Sequence, residues 1–134
     1  MVEGSLELSK RSRKAIREGK IEKGDPRTAA ELAGMMAMRR TPELIPHCHS
    51  VPLTGSRVVV RSTRTGVQVE AEAETLWRTG VEMEALVGAV VALLTVWDMV
   101  KYLEKTRRGS YPETRLGPVR VTLREKRPVS GGKR

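Results

Sequence analysis

The sequence predicts a single α+β domain in which a mostly antiparallel sheet is backed by two substantial helices. The chain has 134 residues, which is the length of one domain. Two stretches alternate polar and apolar side chains as strands do, and two others carry apolar residues at helical spacing. Hydrophobic residues make up 39% of the chain, which is enough for one compact core and argues against full disorder.

The first third of the chain predicts two helices. Residues 1–11 are expected to be flexible, and the charge-rich segment Leu6–Glu18 has a weakly amphipathic, helical pattern. Asp25 is a good N-cap for the next helix, and Pro26 suits its first position, where a missing N–H costs nothing. Apolar residues continue that helix to about Arg39.

A β-hairpin is predicted next. Three consecutive valines, residues 58–60, suit a strand, and Thr65-Gly66 marks a turn. From Val67 to Glu74 apolar and polar side chains alternate strictly, so one face of this strand should be buried and the other exposed to solvent.

The last part of the chain predicts a long helix and one more strand. Residues 78–80 break the hairpin strand, and a helix runs from about Val81 to Lys105. Its candidate core residues are apolar and lie at helical spacing: Ala85, Leu86, Val90, Leu93, Leu94 and Trp97. Residues 110–114 resemble a loop, residues 115–124 alternate as a strand does, and residues 128–134 form a glycine-rich, flexible tail.

The positive charge of the chain is concentrated at its C-terminal end. Lys and Arg number 25 against 16 Asp and Glu, a formal charge of +9. Residues 105–134 alone carry 10 basic and 2 acidic side chains. Such a segment is either a solvated tail or a surface for a polyanion, which can be a nucleic acid or a phosphorylated small molecule. Charge alone does not choose between them.

The composition favours a soluble cytoplasmic protein. A single cysteine excludes an intrachain disulfide and fits a reducing compartment. The first residues carry charges throughout and lack the apolar region of a secretory signal. The longest uncharged apolar run, Ala85–Trp97, has 13 residues, fewer than the roughly 20 that span a bilayer.

Both histidines and the cysteine lie together in His47-Cys48-His49, between Pro46 and Pro52. Structural zinc takes four ligands, and the chain has no further His or Cys. Carboxylates or a second subunit would therefore have to complete a zinc site. The alternatives are a structural loop with satisfied imidazoles, and a role for His49 in acid–base chemistry or substrate binding.

Two clusters on the long helix are candidates for chemistry. Glu82-Met83-Glu84 lies in its first turn, where carboxylates also serve as ordinary caps. Asp98 and Lys101 are spaced i, i+3 after the most apolar stretch, as either a surface ion pair or a desolvated pair with shifted pKa values. Glu84 and Asp98 are 14 residues apart, or about 21 Å along a helix. If both serve one small ligand and the helix is unbroken, two subunits must supply the site.

Several motifs occur together in a characteristic order. They are Lys23-Gly24-Asp25, Ala33-Gly34, Arg40-Thr41, residues 43–49, Pro52-Leu53, residues 79–86, residues 98–101 and Ser130-Gly131-Gly132-Lys133. With these motifs, the chain from about Ser12 to its end resembles the cyclic pyranopterin monophosphate synthases, the molybdenum-cofactor biosynthesis accessory protein C family.

The resemblance implies a ferredoxin-like fold and a homohexamer, a trimer of dimers with active sites between subunits. It implies a lyase that converts the small molecule 3′,8-cyclo-7,8-dihydro-GTP to cyclic pyranopterin monophosphate. The reaction rebuilds the ring system, expels pyrophosphate and closes a cyclic phosphate. No cofactor, metal, membrane or nucleic acid is implied. A nucleic-acid-binding module that uses the basic C-terminal residues is the alternative function.

The resemblance also assigns site residues by motif. The acid–base and positioning groups are Lys23, Asp98 and Lys101. Carboxylates suit the N–H donors of a guanine-type edge, and basic groups suit the triphosphate. The substrate-binding residues are Cys48, His49, Glu82, Met83, Glu84, Lys126 and Lys133.

The sequence departs from the family pattern in three places. No N-terminal strand is apparent before Ser12, and Ser50-Val51 separates His49 from the proline that usually follows it. Val129 stands where a basic residue usually precedes Ser-Gly-Gly, so Lys126 or Arg127 is expected to substitute for it.

Overall fold

The computed structural model describes residues 1–77 and 80–122. The strands are β1 (Val2–Glu7), β2 (Gly55–Ser62), β3 (Gly66–Glu74), β4 (Arg115–Leu116) and β5 (Arg120–Val121). The helices are α1 (Lys10–Arg17), α2 (Pro26–Arg39), α3 (Thr41–Leu44) and α4 (Glu82–Glu104).

The strands form one antiparallel sheet. Its order is β2-β3-β1, and the short strands β4 and β5 both pair with the free side of β1. Register is set by pairs such as Val2 with Ala71 and Val58 with Ala71. Helices α2 and α4 pack on the same side of this sheet. The predicted α+β class is confirmed, and the arrangement is ferredoxin-like.

The predicted alternation of β3 is confirmed. Val67, Val69 and Ala71 are buried beneath the helices, whereas Glu70 and Glu72 point to the other face. There they form ion pairs with arginines of β2. The core combines aliphatic side chains from the strands and the helices: Val2, Leu6, Val58, Val60, Val67, Val69, Ala89, Leu93, Val96 and Val100.

The predicted start of α2 is also confirmed. The Asp25 carboxylate accepts a hydrogen bond from the Arg27 amide at 3.0 Å, and Pro26 occupies the first turn. Farther along α2, the Glu31 carboxylate accepts the Val60 amide at 2.9 Å. This contact gives a hydrogen-bond partner to one of the backbone amides on the unpaired side of the edge strand β2.

Helices α2 and α4 cross in close contact at two glycines. A Cβ on Gly34 would lie 2.8 Å from the Gly88 carbonyl oxygen and 3.1 Å from a methyl group of Val58. Helix α4 has the length and composition of a membrane span, but half of its apolar window is buried inside the domain. It is therefore the core helix of this fold. The uncharged run Ala85–Trp97, which is too short to span a bilayer, indicated the same.

We expect Gly34→Ala to destabilise the domain more than Gly88→Ala does. Both substitutions gain about 1 kcal/mol of helix propensity. The Gly34 substitution places its methyl group against a backbone oxygen that cannot move alone, so its net cost should be about 1–3 kcal/mol. At Gly88 the methyl group would lie 2.8 Å from Cγ and Cε of the buried Met38 and 3.1 Å from the Gly34 carbonyl oxygen. The backbone contact is longer than the one at Gly34, and a methionine side chain can adjust more easily than a carbonyl group. Urea denaturation at fixed protein concentration tests this order, and equal losses would contradict it.

Three expectations about the elements are wrong. Residues 2–7 form the central strand β1, although no strand was expected before Ser12 and residues 1–11 were expected to be flexible. Leu94, a core candidate, is exposed because it lies on the side of α4 that faces away from the sheet. The strand predicted over residues 115–124 is interrupted between β4 and β5, because Pro118 has no N–H for the ladder. The predicted break at Arg78-Thr79 and the tail at 128–134 lie outside the described residues.

A buried carboxylate joins the start of α1 to the end of α4. Glu104, the last residue of α4, is 7% exposed and accepts hydrogen bonds from the amide and hydroxyl of Ser9 and from the hydroxyl of Ser12. The Thr114 hydroxyl donates to it at 2.7 Å. Because Ser9 is the N-cap of α1, Glu104 anchors that helix to the end of α4.

Candidate active site

Three of the predicted site residues meet beside the C-terminal half of α4. The Lys101 ammonium lies 2.9 Å from one oxygen of Asp98, and the Lys23 ammonium lies 3.8 Å from the other. Asp98 and Lys101 share a face of the helix because they are three residues apart. Lys23 reaches the same carboxylate from the segment between α1 and α2. The cluster therefore offers two cationic proton donors around one carboxylate.

A tight turn presents Lys23 to this cluster. The Gly24 amide donates to the Ile21 carbonyl oxygen at 3.1 Å, which closes a turn with Glu22 and Lys23 at its centre. Gly24 has a φ of 107°, a conformation that favours glycine. Ile21 is buried in the core and anchors the turn. The Glu22 amide donates to the Tyr102 hydroxyl of α4 at 3.2 Å.

The electrostatics of the cluster hold it in the charged state. A hydrogen bond from Lys101, its charge and the charge of Lys23 lower the pKa of Asp98. The hydrogen bond to Asp98 and the charge of that carboxylate raise the pKa of Lys101. The sequence left a surface ion pair and a desolvated pair with shifted pKa values as alternatives. In the single chain the cluster is a surface ion pair, because Asp98, Lys101 and Lys23 are each more than half exposed.

An aromatic pair stands beside the cluster. Trp97 of α4 and Tyr111 form an edge-to-face contact with ring centroids 5.2 Å apart. Tyr111 follows a compact loop in which the hydroxyls of Thr106 and Ser110 are 2.7 Å apart and the Thr106 amide bonds the Ser110 carbonyl. Tyr111 lies close enough to Lys101 that ionisation of its phenol would add a small contribution to the raised pKa of that lysine.

A second cluster forms at the opposite end of α4. Glu84, in the first turn of the helix, is only 2% exposed, and the Cys48 thiol donates to its carboxylate across 3.9 Å. Burial, followed by the charge of Glu84 and this hydrogen bond, raises the pKa of the Cys48 thiol. The cysteine is therefore a neutral donor in this structure and not a thiolate nucleophile.

The other predicted binding residues near this end are more open. Met83 and His49 are exposed, and Glu82 is half-buried beside Gly80. His47 is exposed as well. Across residues 1–77 and 80–122, no three His, Cys, Asp or Glu side chains are grouped as a metal site. Lys126 and Lys133, the predicted triphosphate ligands, lie outside the described residues.

The structure keeps the two clusters apart. Helix α4 is continuous for 23 residues, so Glu84 and Asp98 are about 21 Å apart along its axis. Within one chain, the carboxylates at the start of the helix and the lysines near its end do not face the same small molecule. The predicted acid–base residues therefore lie at one end of α4, and Cys48 and Glu84, two of the predicted binding residues, lie at the other.

Sequence reasoning missed two tyrosines at the Asp98 cluster. Tyr102 directly follows Lys101 and lies four residues after Asp98. This spacing predicts that Tyr102 and Asp98 share a face of the helix. Tyr111 had no such signal, because its proximity to Trp97 depends on how the loop folds back onto the helix.

Comparison with known proteins places this geometry in context. The model of the MoaC family matches residues 1–126. A probable cyclic pyranopterin monophosphate synthase of Pyrococcus abyssi is 48% identical over 121 residues, which cover 90% of this chain and 76% of that protein. Proteins of the same description from Aeropyrum pernix and Archaeoglobus fulgidus are 46% identical over 123 residues and 45% identical over 133 residues. These alignments cover 92% and 99% of this chain, and 84% and 83% of the relatives.

Proposed function

The chain belongs to the MoaC family, and from that premise we propose that it is a cytoplasmic cyclic pyranopterin monophosphate synthase whose active site is assembled from two subunits. It is a lyase of molybdenum cofactor biosynthesis and acts on a small pterin precursor. The proposed substrate is 3′,8-cyclo-7,8-dihydro-GTP, and the proposed assembly is a homohexamer built as a trimer of dimers.

The shared site rests chiefly on the unbroken length of α4. Glu84 at its start and Asp98 near its end are about 21 Å apart, which is too far for both to contact one pterin. The site is completed when a neighbouring chain places the start of its own α4 beside Asp98. Leu94 lies one turn before Asp98 and is about half exposed, so an apolar surface suitable for such a neighbour borders the cluster.

The Asp98 cluster supplies the acid–base groups of the proposal. Lys101 is held as an ammonium by Asp98, so its first role is to donate a proton to a leaving nitrogen or oxygen. Lys23 is a second cation at the same carboxylate and stabilises negative charge that develops on the substrate. Asp98 orients both lysines. Covering by a neighbouring subunit would remove water from the cluster and strengthen these interactions.

The Glu84 cluster supplies recognition. The Glu84 carboxylate is buried and accepts a hydrogen bond from Cys48, so it is held in place before any substrate binds. A carboxylate fixed in this way suits the adjacent N–H donors of a guanine-type ring. Glu82, Met83 and His49 surround this end and complete the proposed contacts. The triphosphate is assigned to Lys126 and Lys133.

Mixing defective subunits tests the shared site. We expect Glu84→Ala and Asp98→Ala each to be inactive alone. After random subunit exchange in a 1:1 mixture, about one quarter of the sites draw both intact residues from different chains, so about a quarter of wild-type activity should return. Activity is measured as conversion of the cyclised dihydro-GTP to the pyranopterin.

The matched control mixes wild-type chains with the Glu84→Ala/Asp98→Ala double variant. A shared site again leaves about a quarter of the activity in that mixture, whereas a site contained in one chain leaves about half of it and gives no rescue of the single variants. Absence of rescue after subunit exchange has been verified by mass spectrometry would overturn the shared site.

A further inference from the structure

We propose that Tyr102 is a positioning residue, whose hydroxyl holds the Ile21–Gly24 turn against α4 so that Lys23 stays beside Asp98. Asp98, Lys101 and Tyr102 lie on one face of the helix at i, i+3 and i+4. Only the effect that this proposal predicts on turnover rests on the proposed function.

The turn leaves the Glu22 amide available for this contact. In a turn closed from Gly24 to Ile21, the amide of the second residue, Glu22, takes no part in the closing hydrogen bond. That amide donates to the Tyr102 hydroxyl at 3.2 Å. The next residue is Lys23, so the bond fixes the backbone directly adjacent to the lysine.

The other constraints on Lys23 are weak. Its ammonium lies 3.8 Å from the Asp98 carboxylate, and the side chains of both residues are more than half exposed. An exposed ion pair at this distance contributes little to order by itself. Ile21 anchors the start of the turn in the core, but it acts two residues before Lys23. Tyr102 therefore provides the hydrogen bond that ties the centre of the turn to the helix that carries Asp98.

The test is Tyr102→Phe in the full chain, which keeps the ring and removes only the hydroxyl. Tyr102 is 42% exposed, so the variant should fold, and thermal denaturation checks that it does. We expect faster hydrogen exchange of the Glu22 amide and a higher pKa of Asp98 in carboxyl-carbon NMR titrations, because Lys23 no longer stays near it. For turnover we expect kcat to fall about 3- to 10-fold with little change in KM.

The control is Thr63→Val, which removes a hydroxyl that likewise accepts a backbone amide in a turn, that of Gly66. This hairpin carries none of the site residues, so the pKa of Asp98 and kcat should stay at their wild-type values. In a Lys23→Ala background, Tyr102→Phe should leave the pKa of Asp98 unchanged, because the tyrosine acts through Lys23.

The outcomes separate the two proposals. An unchanged Glu22 exchange rate or an unchanged pKa of Asp98 in Tyr102→Phe overturns the positioning role, whatever the activity. If the NMR changes occur but the wild-type protein does not convert the cyclised dihydro-GTP, the positioning role stands and the proposed function fails. A pKa change that persists in the Lys23→Ala background shows that Tyr102 acts on Asp98 by another route and also overturns the proposal.

Discussion

Lys101→Ala should lower the turnover of cyclised dihydro-GTP by about a thousandfold, within the range of about 10²–10⁴ found for the loss of a general acid. The ammonium lies 2.9 Å from Asp98 and is the best-positioned proton donor of the cluster. Removing it also leaves the Asp98 charge uncompensated on that side. Lys23→Ala should have a comparable effect, since it removes the second cation at the same carboxylate. The measurement is single-turnover formation of the pyranopterin.

Two neighbouring lysines serve as matched controls. Lys105→Ala removes a lysine one turn beyond Lys101, and Lys20→Ala removes one from the same connecting segment as Lys23, where it pairs with Glu18. Both should retain near wild-type rates and the same assembly by light scattering. If Lys101→Ala kept a tenth or more of the wild-type rate, the general-acid assignment would be wrong.

The charges of the cluster also determine how the loss of activity in Lys101→Ala depends on pH. Asp98 has a lowered pKa and Lys101 a raised one, so the pair remains charged throughout the neutral range. The ratio of wild-type to Lys101→Ala activity should therefore be constant between about pH 6 and pH 8. A ratio that changed tenfold across that range would show that a neighbouring subunit reverses these shifts.

Glu104→Ala should have the largest effect on stability, a loss of about 3–4 kcal/mol in the free energy of unfolding. The substitution removes the acceptor of the Ser9 amide and of the Ser9, Ser12 and Thr114 hydroxyls. These groups are buried, so they would lose their partner without gaining full hydration. Urea denaturation at fixed protein concentration measures the loss.

The control for this variant is Glu113→Ala, which removes an exposed carboxylate next to Thr114. Its free energy of unfolding should stay within about 0.5 kcal/mol of the wild-type value. A Glu104→Ala variant as stable as Glu113→Ala would show that the network contributes nothing to folding.

Acid should abolish the advantage of Glu104. Burial raises the pKa of this carboxyl, but the hydrogen bonds from Ser12, Ser9 and Thr114 outweigh it, and the pKa lies below its ordinary value. A lowered pKa in the folded state stabilises the protein above the pKa of the unfolded chain, about 4.3. The stabilisation is lost as the pH falls through the folded pKa. The difference between wild type and Glu104→Ala should thus be constant at neutral pH and shrink below about pH 4.

Local patterns predicted most of the elements correctly. The Asp25 cap, the β2–β3 hairpin and the long helix α4 follow from residues that are close in the chain, because capping, alternation and helical spacing are short-range properties. Strand β1 carries only a short alternation, with Val2, Gly4 and Leu6 on its buried face and polar residues between them. Its segment contains Gly4 and two glutamates, and it becomes the central strand because β3 pairs with it on one side and β4 and β5 on the other.

The motifs also indicated the family and the residues of both clusters, and the rise of a helix was enough to predict that one chain keeps the clusters apart. Only the tertiary structure brings Lys23 to Asp98, Glu22 to Tyr102 and Ser9 to Glu104, the last two across 80 and 95 residues. It also leaves the lysines exposed and charged in the single chain. Periodicity reports which face of an element is buried, but contacts and solvation depend on which distant segments pack against that face.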